Sequence, residues 1–184
     1  MKVIALSVGL CFAIVSHAED WPQWRGPRRD GVWRENGILQ SFLPDELEVL
    51  WRVPVGTGFS SPCVAQNKVY VTDSHVTRTN ARENVQCFDA ATGKTNWVHS
   101  YNVVYPEYGA DPDHPFGPVA TPVIADGKVY TFGRMSDLLC LDAISGRVLW
   151  RHELPKEYET KDSWPPLLRN PLLDLVINIY MEVF

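Results

Sequence analysis

The sequence is poor in the features that mark several large functional classes. It has no cluster of basic residues that would follow a phosphate backbone, and its net charge is -5. The motifs Gly-x-Ser-x-Gly, His-Glu-x-x-His and Cys-x-x-Cys do not occur. With 45% hydrophobic and 21% charged residues, the chain does not belong to the disordered class either. We predict a globular protein that binds no nucleic acid, and the sequence assigns no catalytic, cofactor-binding or metal-ligating residue.

The N-terminus has a composition of its own. Lys2 precedes an apolar run at residues 3–15, and residues 16–18 end it with a small-x-small cleavage signal. The run is too short to span a bilayer. We predict a secretory signal peptide at residues 1–18, export to the periplasm or the exterior, and no transmembrane segment after cleavage. A buried N-terminal helix is the alternative, and lipid attachment at Cys11 is a weaker one.

The main positive feature of the sequence is an internal repeat. Residues 86–97 read QCFDAATGKTNW, and residues 139–150, which lie 53 positions further on, read LCLDAISGRVLW. Upstream of these, residues 61–70 correspond to residues 121–130 at an offset of 60. Repetition at a period of about 50 residues predicts stacked supersecondary units.

Each repeat unit is predicted to contain four antiparallel strands and no helix. Residues 68–72 and 128–132 are rich in β-branched and aromatic residues, which favours strands. Asp126-Gly127, directly before the second of these runs, is a signal for a two-residue hairpin turn. A third strand is predicted at residues 85–89 and again at residues 138–142, followed by a turn and a fourth strand that ends at the tryptophan.

The turn before the fourth strand has its own chemistry. Gly93 supplies the positive φ that a tight turn needs, and Gly146 does so in the second unit. The hydroxyl group of Thr92 or Ser145, together with the preceding aspartate, can form hydrogen bonds to the turn amides.

Tryptophans at matching positions are predicted to join the units. A four-stranded sheet cannot bury both of its faces alone, so Trp97 and Trp150 are the natural contacts to neighbouring sheets, each burying on the order of 200 Å². Trp51 lies in residues 49–53, which resemble residues 148–152. We predict that it lies on a closing strand, which in a ring of sheets completes the last unit.

Three cysteines follow the predicted signal peptide, and we expect all of them to be buried thiols. If Cys63 lies on the first strand of a unit and Cys87 on its third, about 9 to 10 Å separates them. A disulfide tolerates a Cα separation of about 7 Å. Cys87 and Cys140 occupy equivalent places on sheets that pack about 10 Å apart, so they too are expected to serve as small hydrophobic residues.

The repeat resembles a known family. Residues 89–97 are similar to the tryptophan-docking motif of the pyrroloquinoline-quinone-like (PQQ-like) repeat propellers, and residues 21–31 resemble the N-terminal signature of exported members. The resemblance covers most of residues 21–152. It implies an all-β β-propeller of four-stranded antiparallel blades, with each docking tryptophan packed between two blades. The family includes quinoprotein alcohol dehydrogenases but also propellers that bind no cofactor, among them an outer-membrane assembly lipoprotein.

A closed propeller needs about four to eight blades, and this sequence predicts about two. They lie at about residues 59–99 and 119–152, after an N-terminal extension at residues 19–48. A third blade begins at about residue 170, and its third strand, turn and docking tryptophan do not follow. We therefore expect an incomplete propeller over residues 49–184, from a truncated or frameshifted gene product or a partial sequence. Such a fragment is expected to aggregate through its exposed blade face and strand edges.

The longest insertion between the repeats, residues 101–118, is the first candidate for a binding loop. It contains four residues that can donate oxygen or nitrogen ligands to a metal: Glu107, Asp111, Asp113 and His114. Their spacing matches no ligand signature, so we interpret the loop as a solvated one.

Other polar residues are expected to have structural roles. His75 and His99 are isolated, which favours surface or turn positions. Residues 56–58, Gly-Thr-Gly, precede a strand rather than a helix, so we predict a backbone bend and not a phosphate loop. A small basic group near the mature N-terminus, with Asp30 and Glu35 close by, is expected to be solvated or paired within the chain; it consists of Arg25, Arg28 and Arg29.

Two functional classes remain open. One is a non-catalytic exported propeller that serves as a binding or assembly scaffold for other envelope or exported proteins. The other is a quinoprotein alcohol dehydrogenase-like oxidoreductase, in which the resemblance implies PQQ and calcium at the ring axis and a carboxylate that removes the alcohol proton. The sequence lacks the adjacent cysteine pair of many such enzymes. We therefore expect the scaffold, with no cofactor, and PQQ with calcium only under the second class.

Overall fold

Two four-stranded antiparallel sheets form the framework of the described residues. The computed structural model describes residues 19–37, 41, 49–77, 80–105 and 116–157. The sheet that we call blade 1 has the strand order β1-β2-β3-β4, with β1 (Cys63–Ala65), β2 (Lys68–Thr77), β3 (Asn80–Asp89) and β4 (Thr95–Val104). Blade 2 has the order β5-β6-β7-β8, with β5 (Val123–Ala125), β6 (Lys128–Phe132), β7 (Asp137–Asp142) and β8 (Val148–Glu153).

The sheets confirm the predicted all-β architecture, with two differences in detail. A four-residue helix, α1 (Leu154–Glu157), follows β8, although no helix was predicted. The prediction that the fourth strand ends at the tryptophan was wrong, because Trp97 and Trp150 are the third residues of β4 and β8. Neither glycine nor proline follows Trp97 within β4, so nothing local stops that strand before Val104. Within the described ranges, no helix is long and apolar enough to cross a membrane.

The hairpins between the first and second strands have the turn type that the sequence indicates. Asp126 and Gly127 have φ values of 48° and 71°, and Gln66 and Asn67 have φ values of 51° and 57°. Two successive residues with positive φ define the type I′ turn, whose twist matches that of the strands it joins. The predicted hairpin at Asp126-Gly127 is therefore confirmed, and blade 1 makes the same turn without a glycine.

The turn before each fourth strand is also built as predicted. In blade 1, Asp89 Oδ1 accepts hydrogen bonds from the Thr92 amide at 2.9 Å and the Thr92 hydroxyl at 2.7 Å. Gly93 closes the turn with a φ of 70°. Asp142 Oδ1 makes the equivalent bonds to Ser145, at 2.8 and 2.6 Å, and Gly146 has a φ of 69°. We call these two segments the docking turns.

Trp97 joins the two blades, as predicted. Its indole Nε1 donates a hydrogen bond of 3.1 Å to the carbonyl oxygen of Ala143, and a Cβ atom placed on Gly146 would lie 2.5 Å from its ring. Trp51 docks on blade 1 through the same contacts: its Nε1 donates to the carbonyl of Ala90 at 2.9 Å, and its ring lies against Gly93. Only a glycine leaves room for a ring at this distance. The predicted closing strand is not formed among the described residues, because residues 49–53 are in no strand.

Trp150 lies on the other face of blade 2, with its ring centroid 6.1 Å from that of Tyr130. It packs there against a second hydrophobic cluster, which includes Phe132 and Leu138. The third unit predicted from about residue 170 lies outside the described residues, as does the predicted signal peptide at residues 1–18.

The main core lies between the two blades. It contains residues of both sheets, all 3% exposed or less: Ala65, Tyr70, Val85, Cys87, Val129, Leu139, Leu141 and Ala143. The three described cysteines are buried free thiols, which confirms the prediction for them. Burial raises the pKa of Cys63 to about 12, so this thiol stays protonated and unreactive at neutral pH.

The first strands of the two sheets, β1 and β5, lie close together, and the N-terminal segment crosses both of them. Cys63 Sγ on β1 lies 3.0 Å from the carbonyl oxygen of Pro122, next to β5. Trp21 exchanges two backbone hydrogen bonds with Val64, at 2.7 and 3.0 Å. The next carbonyl, that of Pro22, accepts a 2.8 Å bond from the amide of Ile124 on β5. The segment therefore links β1 to β5 by main-chain hydrogen bonds.

Candidate functional site

A buried carboxylate joins the blades at the ends of their sheets opposite the docking turns. Glu83, near the start of β3, is 1% exposed. Its two oxygens accept hydrogen bonds from the hydroxyl groups of Tyr101, at 2.6 Å, and Tyr105, at 2.7 Å. The amide of Arg134, in the β6–β7 turn of blade 2, donates to the same carboxylate at 3.0 and 3.3 Å. We call this set of four residues the Glu83 joint.

The Glu83 joint depends on a glycine of the opposite blade. A Cβ atom on Gly133 would lie 2.3 Å from the hydroxyl oxygen of Tyr101 and 2.5 Å from Glu83 Oε2. Contacts that short do not occur, so a side chain at this position would displace the Tyr101 hydroxyl group and the Glu83 carboxylate from their present positions. The β6–β7 turn approaches β3 closely because it has no side chain at residue 133.

Burial dominates the electrostatics of the joint. Removal from water raises the pKa of Glu83, and the bonds from Tyr101, Tyr105 and the Arg134 amide oppose this rise. Burial and the nearby carboxylate raise the pKa of both tyrosines, so their hydroxyl groups remain protonated donors at neutral pH. The joint is thus an acceptor surrounded by donors.

A second charged pair continues this contact. Arg151 on β8 donates to Asp137 Oδ1 through Nε at 3.0 Å and Nη2 at 2.5 Å. Burial raises the pKa of Asp137, and the guanidinium group of Arg151 opposes that rise. The same guanidinium carbon lies 5.0 Å from the centroid of the Tyr101 ring, a cation–π contact between the blades. Tyr101 therefore touches both the carboxylate of blade 1 and the cation of blade 2.

A groove of about 750 Å³ opens beside this joint and is lined by both blades. Arg82 contributes a cation from blade 1, and Asp137, Arg151, Glu153 and Lys156 contribute charges from blade 2. Lys156 is paired with Glu153, and Arg151 with Asp137. Most of the charges that line the groove are therefore already neutralised by neighbours in blade 2.

The buried carboxylates of the described residues are occupied by internal donors. Asp73, which is 1% exposed, accepts bonds from Asn84 and Gln86, both at 2.8 Å, and from the Gly56 amide. Donors around such groups hold a structure together rather than leave a free acid or base. In the described part of the chain, no three histidine, cysteine or acidic residues are grouped to hold a metal.

The structure separates the residues that the sequence singles out. His75 is exposed on β2. His99 is half-buried on β4, with its ring 6.0 Å from that of Tyr101, and burial lowers its pKa. The four candidate ligands of the long insertion fall outside the described residues: Glu107, Asp111, Asp113 and His114.

The two remaining candidates are structural, as expected. In residues 56–58, Thr57 exchanges 2.8 Å backbone bonds with Ser74, and a Cβ on Gly56 would lie 2.3 Å from the Ser74 oxygen. The N-terminal arginines contact their own loop: Arg25 donates to the carbonyl of Asp30 at 3.4 Å, and Arg29 to Gln23 at 3.1 Å. Arg28 is exposed.

Sequence reasoning missed Glu83, although a signal for it exists. Alternate residues of a strand lie on one face of the sheet, so Glu83 shares its face with Val85 and Cys87 of the core. An acidic residue in a buried row needs donors nearby, and that requirement indicates a polar joint.

Two adjoining four-stranded blades, joined by a tryptophan that docks on a glycine turn, make this chain part of a β-propeller of PQQ-like repeats. The family described as outer membrane protein assembly factor BamB matches residues 44–164, and the chain belongs to this family. No curated protein is similar enough to count as a match.

Several solved structures are similar to the chain at low identity. A europium-containing methanol dehydrogenase is 18% identical over 54% of this chain and 16% of its own, with a TM-score of 0.39. BamB from Moraxella catarrhalis is 12% identical over 52% and 35%, with a TM-score of 0.28. The quinohemoprotein alcohol dehydrogenase ADHIIG from Pseudomonas putida HK5 is 14% identical over 55% and 21%, with a TM-score of 0.28. The chain thus matches between 16% and 35% of the length of these proteins.

Proposed function

We propose that this protein is an exported propeller that binds or assembles other envelope proteins and catalyses no reaction. The observation that carries the proposal is the use of its buried acids. Glu83, Asp137 and Asp73 each accept hydrogen bonds from side chains or amides of the same chain. A carboxylate that serves as a base must instead reach a substrate.

Family membership supports the same proposal. The matching family is described as an assembly factor of the outer membrane, and a factor of that kind acts through its surface. The apolar run at residues 3–15 and the cleavage signal at residues 16–18 support export. Localisation in the periplasm or outside the cell is part of the proposal.

The catalytic alternative is tested with the purified full chain. It is titrated with PQQ and calcium, binding is followed by fluorescence, and alcohol-dependent dye reduction is assayed. We expect neither saturable PQQ binding nor dye reduction. PQQ-dependent turnover of an alcohol would overturn the proposal in favour of the oxidoreductase.

Binding is tested in the cell with a photo-crosslinking amino acid. Asn102, which is exposed in the groove beside the Glu83 joint, is replaced by p-benzoylphenylalanine, and exposed Asn36 of the N-terminal loop is replaced in the same way as a control. We expect position 102 to crosslink to a defined envelope protein and position 36 not to. Equal, diffuse crosslinking at both positions would contradict the proposal. The mass of the mature protein tests export, with Glu19 expected as its first residue.

A further inference from the structure

One loop near the N-terminus has a surface that neither the blades nor the Glu83 joint explains. We call residues 24–34 the tryptophan–arginine loop. Trp24 is 43% exposed, Trp33 is 57% exposed, and Val32 beside it is 48% exposed. Every residue from 27 to 34 is exposed, so the loop projects from the protein. Large apolar side chains grouped on an exposed surface commonly mark a site of interaction.

A backbone hydrogen bond within the loop brings its apolar residues together. The amide of Gly31 donates to the carbonyl oxygen of Arg25 at 2.9 Å. The guanidinium carbon of Arg25 lies 5.6 Å from the centroid of the Trp24 ring. Trp24 and Val32 flank the bonded pair, and Trp33 follows directly. The three apolar residues therefore lie close together where the loop closes.

The loop is held in place by its own packing. A Cβ atom on Gly26 would lie 2.8 Å from the ring of Trp21, so the loop backbone packs directly on that ring. Trp21 in turn exchanges two backbone hydrogen bonds with Val64 of β1. A loop that is already ordered presents its tryptophans without the entropy loss that ordering a flexible segment would bring.

The charge of the loop is opposite to that of the chain. Residues 24–34 contain four arginines and one acidic residue, whereas the net charge of the whole chain is -5. The acidic residue, Asp30, is paired with Arg34. Arg28 is exposed in the middle of the loop. The loop therefore combines positive charge with exposed indole rings.

This combination selects a lipid surface as the partner. Tryptophan is enriched where a bilayer meets water, because its ring is apolar and its N–H group needs a polar partner. Basic residues close to a bilayer are attracted by anionic phospholipids. A projecting loop can enter the deformable headgroup region, whereas a protein partner would have to offer a pocket of matching shape.

We propose that the tryptophan–arginine loop docks this protein on bilayers that contain anionic phospholipids. Trp24 and Trp33 would lie at the level of the headgroups, and Arg28 beside the lipid phosphates. The inference goes beyond the proposed scaffold function, because it gives the protein a second surface whose partner is lipid. The groove beside the Glu83 joint contains no residue of this loop, so the two surfaces are separate.

The test uses the chain purified after export, because the apolar run at residues 3–15 would itself bind lipid. Binding is measured by flotation of vesicles in a sucrose gradient, in which bound protein rises and aggregates sink. Vesicles of equal parts phosphatidylethanolamine and phosphatidylglycerol are compared with vesicles of phosphatidylcholine alone.

Two pairs of variants separate the rings from the charge. The double variant Trp24→Ser and Trp33→Ser removes both exposed rings. Phe59→Ser is its control, because Phe59 is 72% exposed but lies outside the loop. Arg28→Glu changes the charge of the loop, and Arg147→Glu makes the same change at an exposed arginine of blade 2. All these side chains are exposed, so we expect unchanged melting temperatures.

We expect saturable binding of the native chain, Phe59→Ser and Arg147→Glu to the anionic vesicles. The affinity should be at least tenfold weaker for the double tryptophan variant, at least threefold weaker for Arg28→Glu, and at least tenfold weaker for the native chain on phosphatidylcholine. Absence of flotation of the native chain, equal binding by the double variant, or equal losses in the variants and their controls would overturn the proposal.

A protein partner at this loop is tested in the cell. Trp33 is replaced by p-benzoylphenylalanine, and we expect no defined protein adduct. A defined adduct with another protein, or with a second copy of this chain, would overturn the proposal, because the occupant would then not be lipid. Crosslinking at Asn102 reports on the groove alone, so the docking proposal can fail while the scaffold function stands.

Discussion

Blades 1 and 2 are alike at one end and different at the other. Both have a type I′ hairpin, a docking turn closed by glycine, and a bulge in the ladder directly after the third-strand cysteine. At the opposite end, the second strand has ten residues in blade 1 and five in blade 2. Glu83 belongs to the extended part of blade 1 and has no counterpart in blade 2. The repeated end holds neighbouring blades together, whereas the unrepeated end distinguishes them.

The largest expected effect comes from removing the contact that the repeat supplies. Trp97→Ala should lower the free energy of unfolding by about 4 kcal/mol, because it leaves a cavity between the blades. Trp97→Phe keeps a ring but loses the bond from Nε1 to Ala143, and it should cost about 1 to 2 kcal/mol. Urea unfolding measures both. A loss below about 1 kcal/mol for Trp97→Ala would mean that the docking tryptophan does not hold the blades together.

The next prediction separates ring contact from backbone conformation. Gly146→Ala should cost about 3 kcal/mol, because its Cβ meets the Trp97 ring in addition to the strain of a positive φ. Gly127→Ala is the matched control, since its φ is 71° and a Cβ there has no atom within 4 Å. It should cost about 1 to 2 kcal/mol. Equal losses in urea unfolding would show that close approach of the ring is unimportant.

The third prediction concerns Glu83, at the unrepeated end of blade 1, and the pH dependence of stability. Burial raises the pKa of Glu83 above its ordinary value of 4.5, so the folded state holds this proton more tightly than the unfolded state does. Its contribution to stability is therefore complete below about pH 4.5 and is lost as the pH rises through the raised pKa. Glu83→Gln should remove this decrease in stability with rising pH, as measured by the melting temperature between about pH 4 and 8. An unchanged slope would place the titrating group elsewhere.

The smallest expected effect is acid sensitivity of the docking turns, and it has the opposite sign. Bonds from Thr92 lower the pKa of Asp89 below 3.8, and bonds from Ser145 do the same for Asp142. Their contribution is present above pH 3.8 and is lost as the pH falls through the lowered values. The double variant Thr92→Val and Ser145→Ala should make the free energy of unfolding less dependent on pH below about pH 4, while leaving both aspartates in place. A slope equal to that of the native chain would exclude the hydroxyl bonds as its cause.

The sequence predicted the repeated end well because its chemistry is local. Asp89, Thr92 and Gly93 lie within five consecutive residues, and their bonds follow from residue types and spacing. The predicted end of β4 was wrong because the tryptophan is the last residue of the repeated motif but not the last residue of the strand. Strand length depends on the partner, and β4 continues as far as β3 offers pairs, up to Asn80 opposite Val104.

The Glu83 joint could not be read from spacing. Its donors lie 18, 22 and 51 residues along the chain from the carboxylate, at Tyr101, Tyr105 and Arg134. The period-2 pattern of β3 places Glu83 on the buried face, but it does not say which groups meet it there. That pairing depends on the packing of blade 2 and on the absence of a side chain at Gly133.

The amino-acid sequence by itself determined the repeat, the four-stranded unit and the chemistry of the docking turns, since turns and strand patterns act over a few neighbouring residues. Only the tertiary structure decided that Glu83 and Tyr101 meet the amide of Arg134, and that β4 outruns β8. Those outcomes depend on how far two sheets approach and how long a partner strand is, and distant parts of the chain set both.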